Sequence, residues 1–278
     1  MNKIILSNGV EIPQIGLGVY LGYGVFENPD SSLTIDSVKS ALEVGYRHID
    51  MAAAYGNESD VGIAIKESGV PREELFLTTK LWNDDIVARR AKEGFEESLK
   101  KLQTDYLDLY LLHWPIDGME EAWSVLEDLY LEKRIKAIGV SNFQMHHMKQ
   151  LMKHARIKPM VNQIESNPYN NNQKLVDDCR LEDIQIEAWS PLGGSGGNIL
   201  QNPALKDLAE KYNKSVAQII LRWNIQRGIV VLPKSIHKER QVSNMEVFDF
   251  VLSDEDMRTI FRMNKNISAG TPPKGVYE

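Results

Sequence analysis

Eight apolar, strand-like runs alternate with amphipathic helical stretches along this chain, and that alternation limits the fold more than any other feature. The runs fall at residues 14–19, 46–50, 75–80, 106–113, 135–140, 160–164, 184–189 and 229–232. Most are nearly continuous in apolar residues, the pattern of parallel strands buried on both faces. Between them, Ile35, Val38 and Leu42 recur at helical spacing, and Gly45 suits a left-handed C-cap. Val87, Ala91, Phe95, Leu99 and Leu102 read as the stripe of one helix, with Asn83 and Asp84 as N-cap candidates. Ala217, Ile220 and Leu221 mark a late helix. Ahead of the first run, Ile4-Ile5-Leu6 and Val10-Glu11-Ile12 flank Ser7-Asn8-Gly9. Asn-Gly tolerates positive φ, so this segment is predicted to be a β-hairpin.

Alternating strands and helices leave a doubly wound open sheet or a closed barrel. The open dinucleotide fold needs a G-x-G-x-x-G turn after its first strand. Gly16, Gly18 and Gly22 lack that spacing, as do Gly194, Gly196 and Gly197. A count of eight favours an α/β fold of the (β/α)8 TIM barrel type, with the N-terminal β-hairpin closing its bottom. No Gly-, Pro- or Ser-rich linker divides the chain, so residues 1–278 read as a single barrel domain.

Charge and composition exclude several function classes. A net charge of -7 repels a phosphate backbone, so no nucleic-acid partner is expected. No run approaches the roughly 20 apolar residues that cross a bilayer, and Met1 to Ile12 is too polar for a signal peptide. No membrane partner and a cytoplasmic location follow. Cys179 is the lone cysteine, which leaves no intrachain disulfide and no thiolate cluster. His146-His147 sits at a helix start with no carboxylates around it in the sequence, so no metal is expected. Arg89, Arg90 and Lys92 read as a solvated helix face. A closed barrel has no open edge, and no heptads are present, so a monomer is expected.

In a barrel, the strand C-termini and the loops after them form the active face. The second run ends in Asp50, the third in Lys80 and the fourth in His113. Adjacent strands lie roughly 5 Å apart, so these side chains can converge. Tyr55 follows five residues after Asp50. Together they make an acid: a phenol keeps its proton at neutral pH, a Lys80 ammonium favours the phenolate, and Asp50 holds Lys80 charged. His113 would orient a carbonyl oxygen or share the proton. Such a device suits an oxygen that becomes an alkoxide when hydride reaches its carbon. Tyr20, Trp82 and Trp114 each follow a strand end and are the candidate substrate-pocket walls, with His113 among them. Lys234, Lys238 and Arg240 cluster after the last strand of an otherwise acidic chain, a pattern suited to a phosphate.

Several segments resemble, in order, the motifs of the aldo-keto reductases. These are Gly45-Tyr46-Arg47-His48-Ile49-Asp50 with Tyr55-Gly56-Asn57-Glu58, then Leu107-Asp108-Leu109-Tyr110-Leu111-Leu112-His113-Trp114-Pro115. Gly139-Val140-Ser141-Asn142-Phe143, Asn162-Gln163, Ala188-Trp189-Ser190-Pro191-Leu192 and Leu232-Pro233-Lys234-Ser235 follow, through Arg240 and Asn244. The resemblance implies an NADPH-dependent reductase of small aldehydes, ketones or dicarbonyls, with Asp50, Tyr55, Lys80 and His113 catalytic. It implies that Gly18, Val19, Tyr20 and Asp50 line the cofactor site. Ser141, Asn142 and Gln163 would bind the carboxamide, and Trp189 would stack on the nicotinamide. Ser190, Pro191, Leu192 and Ser195 would follow the pyrophosphate. Lys234, Ser235, Ile236, Arg240 and Asn244 would hold the 2′-phosphate end of the adenosine. Met51 and Ser243 depart from the usual pattern. The short segment from Trp114 to Glu121 and the brief tail after Ile267 resemble small bacterial members that take small aldehydes, dicarbonyls or keto sugars. Two other readings stay open at this level: a Schiff-base barrel lyase using Lys80, and a non-catalytic NADPH-binding regulatory protein on the same scaffold.

Overall fold

The computed structural model describes residues 2–22, 30–194, 198–270 and 272. Its chain opens with an antiparallel hairpin of β1 (Lys3–Ile5) and β2 (Glu11–Pro13), in which Ile4 pairs with Ile12. Gly9 takes φ +86, as the Asn-Gly turn requires. Asn8 Nδ2 donates to the carbonyl of Lys136 at 2.9 Å, at the start of a central strand. Leu6 and Ile12 are buried. The hairpin therefore covers the N-terminal mouth, where the sequence puts it.

The central sheet has eight parallel strands in sequential order. They are β3 (Leu17–Gly18), β4 (His48–Asp50), β5 (Phe76–Leu81), β6 (Leu107–Leu112), β7 (Ile135–Ser141), β8 (Val161–Glu165), β9 (Gln185–Trp189) and β10 (Val230–Val231). A parallel bridge from Ile15 to Val231 joins the first strand segment to the last and closes the barrel. Gly16 makes that closure possible, because a Cβ there would lie 2.8 Å from the His48 ring. All eight expected strands are present. The two at the seam are paired over fewer residues than their apolar runs suggest.

Helices wrap the sheet. α1 (Ser31–Val44) starts at Asp30, whose carboxylate accepts from the Ser32 amide, and ends at Gly45 with φ +111. α2 (Glu58–Ser68) packs beside it. The stripe expected as one helix from Val87 to Leu102 is broken into α3 (Asn83–Val87) and α4 (Ala91–Leu102). Arg89 stands at φ +58 in the break, a left-handed conformation no helix carries, and Val87 is exposed. Asn83 and Asp84 lie inside α3 rather than capping it, and Arg90 pairs with Asp85 at 2.7 Å rather than lining a helix face. α5 (Met119–Leu131), α6 (Met145–Met152) and α7 (Gln173–Leu181) follow in the barrel pattern. β9 and β10 are joined through both α8 (Pro203–Tyr212) and α9 (Val216–Gln226), where the sequence marks one helix. α9 opens with a reciprocal cap between Ser215 and Gln218. α10 (Lys238–Met245) and α11 (Asp254–Phe261) complete the described order.

Two apolar clusters hold this arrangement. The larger joins the strands to the helices around them, with every residue of β6 buried. The smaller unites Leu205, Leu208, Ile219, Trp223, Leu252 and Ile260 on the flank formed by α8, α9 and α11. Burial of each such side chain contributes about 1.5–3 kcal/mol against its exposed state. The barrel interior, by contrast, is polar at mid-height. Asp50 of β4 is hydrogen-bonded to Gln163 of β8, and His48 of β4 lies 3.8 Å from Glu187 of β9. These strands are not neighbours in the sheet, so their contacts run across the barrel lumen.

Candidate active site

β4 delivers Asp50 at its last residue, and the chain then turns through Ala53–Tyr55 to Gly56, at φ +68. This turn brings Tyr55 back over the strand ends. β5 delivers Lys80 one residue before its end, and His113 follows β6. Lys80 is fully buried. Its Nζ donates to Asp50 Oδ1 and to the Met51 carbonyl, both at 2.7 Å. The same nitrogen lies 5.3 Å from the centre of the Tyr55 ring. The Tyr55 and His113 rings meet edge to face at 5.9 Å. The four residues read from strand ends and loop are thus one cluster. Met51, which departs from the family pattern, is buried in the core and supports the site through its carbonyl.

Burial governs the proton affinities. Lys80 loses hydration, but the carboxylate of Asp50, by its charge and its hydrogen bond, outweighs that loss and holds it above the usual ammonium range. Asp50 is raised by burial, with Lys80 and Gln163 acting against the rise. Tyr55 is raised by burial, and Lys80 opposes this without overcoming it. The charge of Lys80 alone would lower the phenol, as the sequence suggests. Desolvation reverses the sign. His113 is held well below the imidazole range by burial and then by Lys80, so its ring is neutral.

A second set of side chains adjoins this cluster. Ser141 Oγ donates to the Gln163 carbonyl at 3.0 Å. Asn142, at φ +65, donates to the His113 carbonyl at 3.1 Å and accepts from Trp189 Nε1 at 2.8 Å. The amide nitrogen of Gln163 donates to Asp50 at 2.7 Å and to Glu187 at 3.0 Å. Ser190 turns the chain at φ +44, Pro191 is buried, Leu192 is half-buried, and Gly193 follows at φ +80. Ser195 lies outside the described residues. Gly18 allows β3 to approach the Leu232 carbonyl, which a Cβ would meet at 3.1 Å. Val19 is buried, and its carbonyl accepts from Asn57 at 2.9 Å.

Aromatic rings border the cluster as expected. Tyr20 lies 4.9 Å from the Tyr55 ring, Trp82 5.1 Å from His113, and Trp114 stacks on His113 at 6.3 Å. Beyond β10, Lys234 and Arg240 are exposed and, among the described residues, form no ion pair. Lys238, counted with them in the sequence, is instead paired with Glu43 at 2.8 Å. Ser235 is buried in a turn with His237, Ile236 is exposed, and Asn244 is buried against Tyr46.

Three features of the site escaped the sequence reading. Glu187 is fully buried beneath the cluster, and its signal was an acid in mid-strand between Ile186 and Ala188. His48 joins it from β4. Glu165, at the end of β8, accepts from Ser268 Oγ at 2.6 Å and from the Ala269 amide at 2.9 Å. That tether lays Gly270 so closely on Trp189 that a Cβ would fall 2.7 Å from the indole. No local pattern announces a contact between a strand end and a tail some hundred residues later.

Comparison with known proteins agrees with this geometry. Residues 14–265 match the profile of the Aldo/keto reductase family. Glyoxal reductase of Bacillus subtilis (strain 168) is 52% identical over 273 residues, covering 98% of this chain and 96% of that protein. Methylglyoxal reductase DkgA of Escherichia coli (strain K12) is 43% identical over 273 residues, covering 97% and 96%. The crystal structure of a Bombyx mori aldo-keto reductase in complex with NADP superposes with a TM-score of 0.90 at 39% identity, covering 97% of this chain and 95% of that one. With a closed eightfold barrel, a cluster of Asp50, Tyr55, Lys80 and His113 at its C-terminal mouth, and relatives matched along almost their full length, this chain belongs to the aldo/keto reductase family.

Proposed function

We propose that this chain reduces the carbonyl of small aldehydes, ketones or dicarbonyls to alcohols with NADPH, working as a single cytoplasmic barrel domain and as a monomer. The observation that carries the reading is Lys80 Nζ, held 2.7 Å from Asp50 and packed against the Tyr55 ring inside an aromatic mouth. The named relatives that reduce glyoxal and methylglyoxal support a small substrate. So do Tyr20, Trp82 and Trp114, which crowd the entrance. The acidic surface and the lone cysteine suit a reducing compartment without a nucleic-acid partner. Among the described residues, no helix is long and apolar enough to cross a membrane.

The residues present fit the dinucleotide. Lys234 and Arg240 are cations without a carboxylate partner among the described residues, which an acidic chain needs to receive a 2′-phosphate. Trp189 keeps a partly exposed indole fixed through Asn142. Bound there, the cofactor supplies the hydride that reaches the carbonyl carbon. Tyr55 gives its proton to the carbonyl oxygen, and Lys80 stabilises the phenolate that remains. Asp50 keeps Lys80 charged throughout. Neutral His113 has one ring N–H with which to hold the carbonyl oxygen in line. The charged state of Lys80 counts against a Schiff-base lyase, which needs a free amine. The complete proton-donating cluster counts against a purely regulatory role.

Tyr55→Phe tests the reading. It should keep NADPH affinity and lose about 10²–10⁴-fold in turnover of methylglyoxal, the usual contribution of a general acid. Unchanged turnover in that variant would remove Tyr55 from the chemistry.

A further inference from the structure

Glu187 sits in the middle of β9, fully buried, and the proton-donating cluster has no evident use for it. Its Oε2 accepts from Gln163 Nε2 at 3.0 Å, and the same nitrogen donates to Asp50 Oδ2 at 2.7 Å. Its Oε1 is buried and, among the described residues, has no hydrogen-bond partner; it lies 3.8 Å from His48 Nε2. Two carboxyls therefore share one amide nitrogen, and only Asp50 also touches the ammonium of Lys80. The charged and titratable groups that face Glu187 are His48 and Asp50 from β4 and Lys80 from β5. Gln163 faces it from β8, and its partner on β10 is the uncharged Val230. His48 supplies no charge, because burial holds its ring down at about 3.

Resting on the carbonyl-reductase reading, we propose that Glu187 is a charge-compensating residue. It holds a proton while the site is empty or carries the neutral reduced nicotinamide. It releases that proton to solvent when the site carries the oxidised, positively charged ring. Burial and the charge of Asp50 push the Glu187 carboxyl up to about 8, against the opposing pull of Gln163 and Lys80, so its proton is only lightly held near neutrality. Glu187 and Trp189 are two residues apart on one strand and share a face, about 7 Å apart along it. Gln163 and Trp189 are the side chains that family resemblance assigns to the nicotinamide. A positive charge bound beside those two side chains would favour the carboxylate of Glu187, because Glu187 is fully buried and little solvent screens it. In that step the O–H bond of Glu187 breaks, its electron pair stays on the carboxylate oxygen, and the proton leaves to solvent. No electron moves within the protein. Affinity for NADP⁺ then rises with pH relative to affinity for NADPH.

Calorimetric titration of the full chain near neutral pH, in two buffers of different ionisation enthalpy, counts the protons exchanged on binding NADP⁺ and, separately, NADPH. The 2′-phosphate is common to both and cancels in the difference. NADP⁺ should release more protons than NADPH, by up to about one. Glu187→Gln should bind both nucleotides and erase the difference. Equal counts in the wild type would overturn the proposal, and so would a difference that survives in Glu187→Gln. If that variant fails to fold, infrared difference spectra of the wild type decide. Loss of a carboxylic-acid carbonyl band with NADP⁺ relative to NADPH supports the proposal, and no such loss defeats it. Absence of any binding isotherm for either nucleotide would overturn the cofactor reading and this proposal with it.

Discussion

Lys80 and burial act on the Tyr55 proton in opposite senses, and burial is the stronger. The phenol therefore keeps its proton near neutrality, and on the mechanism we propose the ammonium beside it matters most for the phenolate left behind. Glu187 obeys the same rule with a different consequence. In the unfolded chain its carboxyl titrates near 4.3, as glutamate ordinarily does. In the barrel it keeps its proton up to about 8. A raised carboxyl contributes its full stability below the unfolded value and loses it as pH rises through the folded value. Glu187→Gln carries no such proton. Relative to wild type it should gain stability between about pH 4.5 and 8, by on the order of 3–5 kcal/mol at about 1.4 kcal/mol per pH unit. Urea unfolding at several pH values in that window measures the difference. A gap between the two proteins that stays constant with pH would show that Glu187 ionises in the ordinary range.

The elements meet closely enough for single atoms to matter. Gly62 of α2 faces the end of α4, where a Cβ would lie 2.6 Å from the Lys101 carbonyl and 3.0 Å from Leu102 backbone atoms. Gly62→Ala gains about 1 kcal/mol in helix propensity, but it must push two backbones apart at a cost of about 1–3 kcal/mol. A lower melting temperature is expected. An unchanged or higher one would show that α2 moves away from α4 freely. The first turn of α10 carries a different test. Arg240 is exposed there and, among the described residues, without an ion-pair partner, while Lys238 is bound to Glu43. A charge-assisted hydrogen bond to phosphate contributes about 1.5–3 kcal/mol, so Arg240→Ala should weaken NADPH binding by about tenfold to over a hundredfold. NADH lacks that phosphate and should bind the variant as it binds wild type. Equal weakening of both cofactors would make Arg240 a support for the adenine or the fold.

Closure of the barrel through Ile15 and Val231 pairs the first and last strands, leaving the central sheet without an open edge. The hairpin lies over the N-terminal mouth, and the site occupies the opposite end. Neither the sheet nor the site then needs a second copy to be complete. Static light scattering at micromolar concentration should return the mass of one chain. A stable dimer mass would direct attention to the exposed apolar side chains, of which Leu181 is 86% accessible.

Much of this was written in short-range pattern. The eight runs, the Asn-Gly hairpin, the Gly45 cap and the polar residues at successive strand ends each depend on neighbours a few positions away, and each is present in the fold. The tetrad was legible because a parallel barrel puts all its strand ends on one face. Contacts across the lumen were not legible. Asp50 and Gln163 are 113 residues apart, and nothing local says that one amide will serve two carboxyls. The apolar stripe runs on from Val87 to Ala91 although the helix does not, because Arg89 between them takes a left-handed φ that no helix continues through. Burial raises Tyr55 where the charge of Lys80, the part visible in the sequence, would lower it. The sequence by itself determined which elements form and which faces they bury, since periodicity and turn chemistry are local. Only the tertiary structure decided how much water each charge keeps and which charges share a partner. Those follow from distances between segments far apart in the chain.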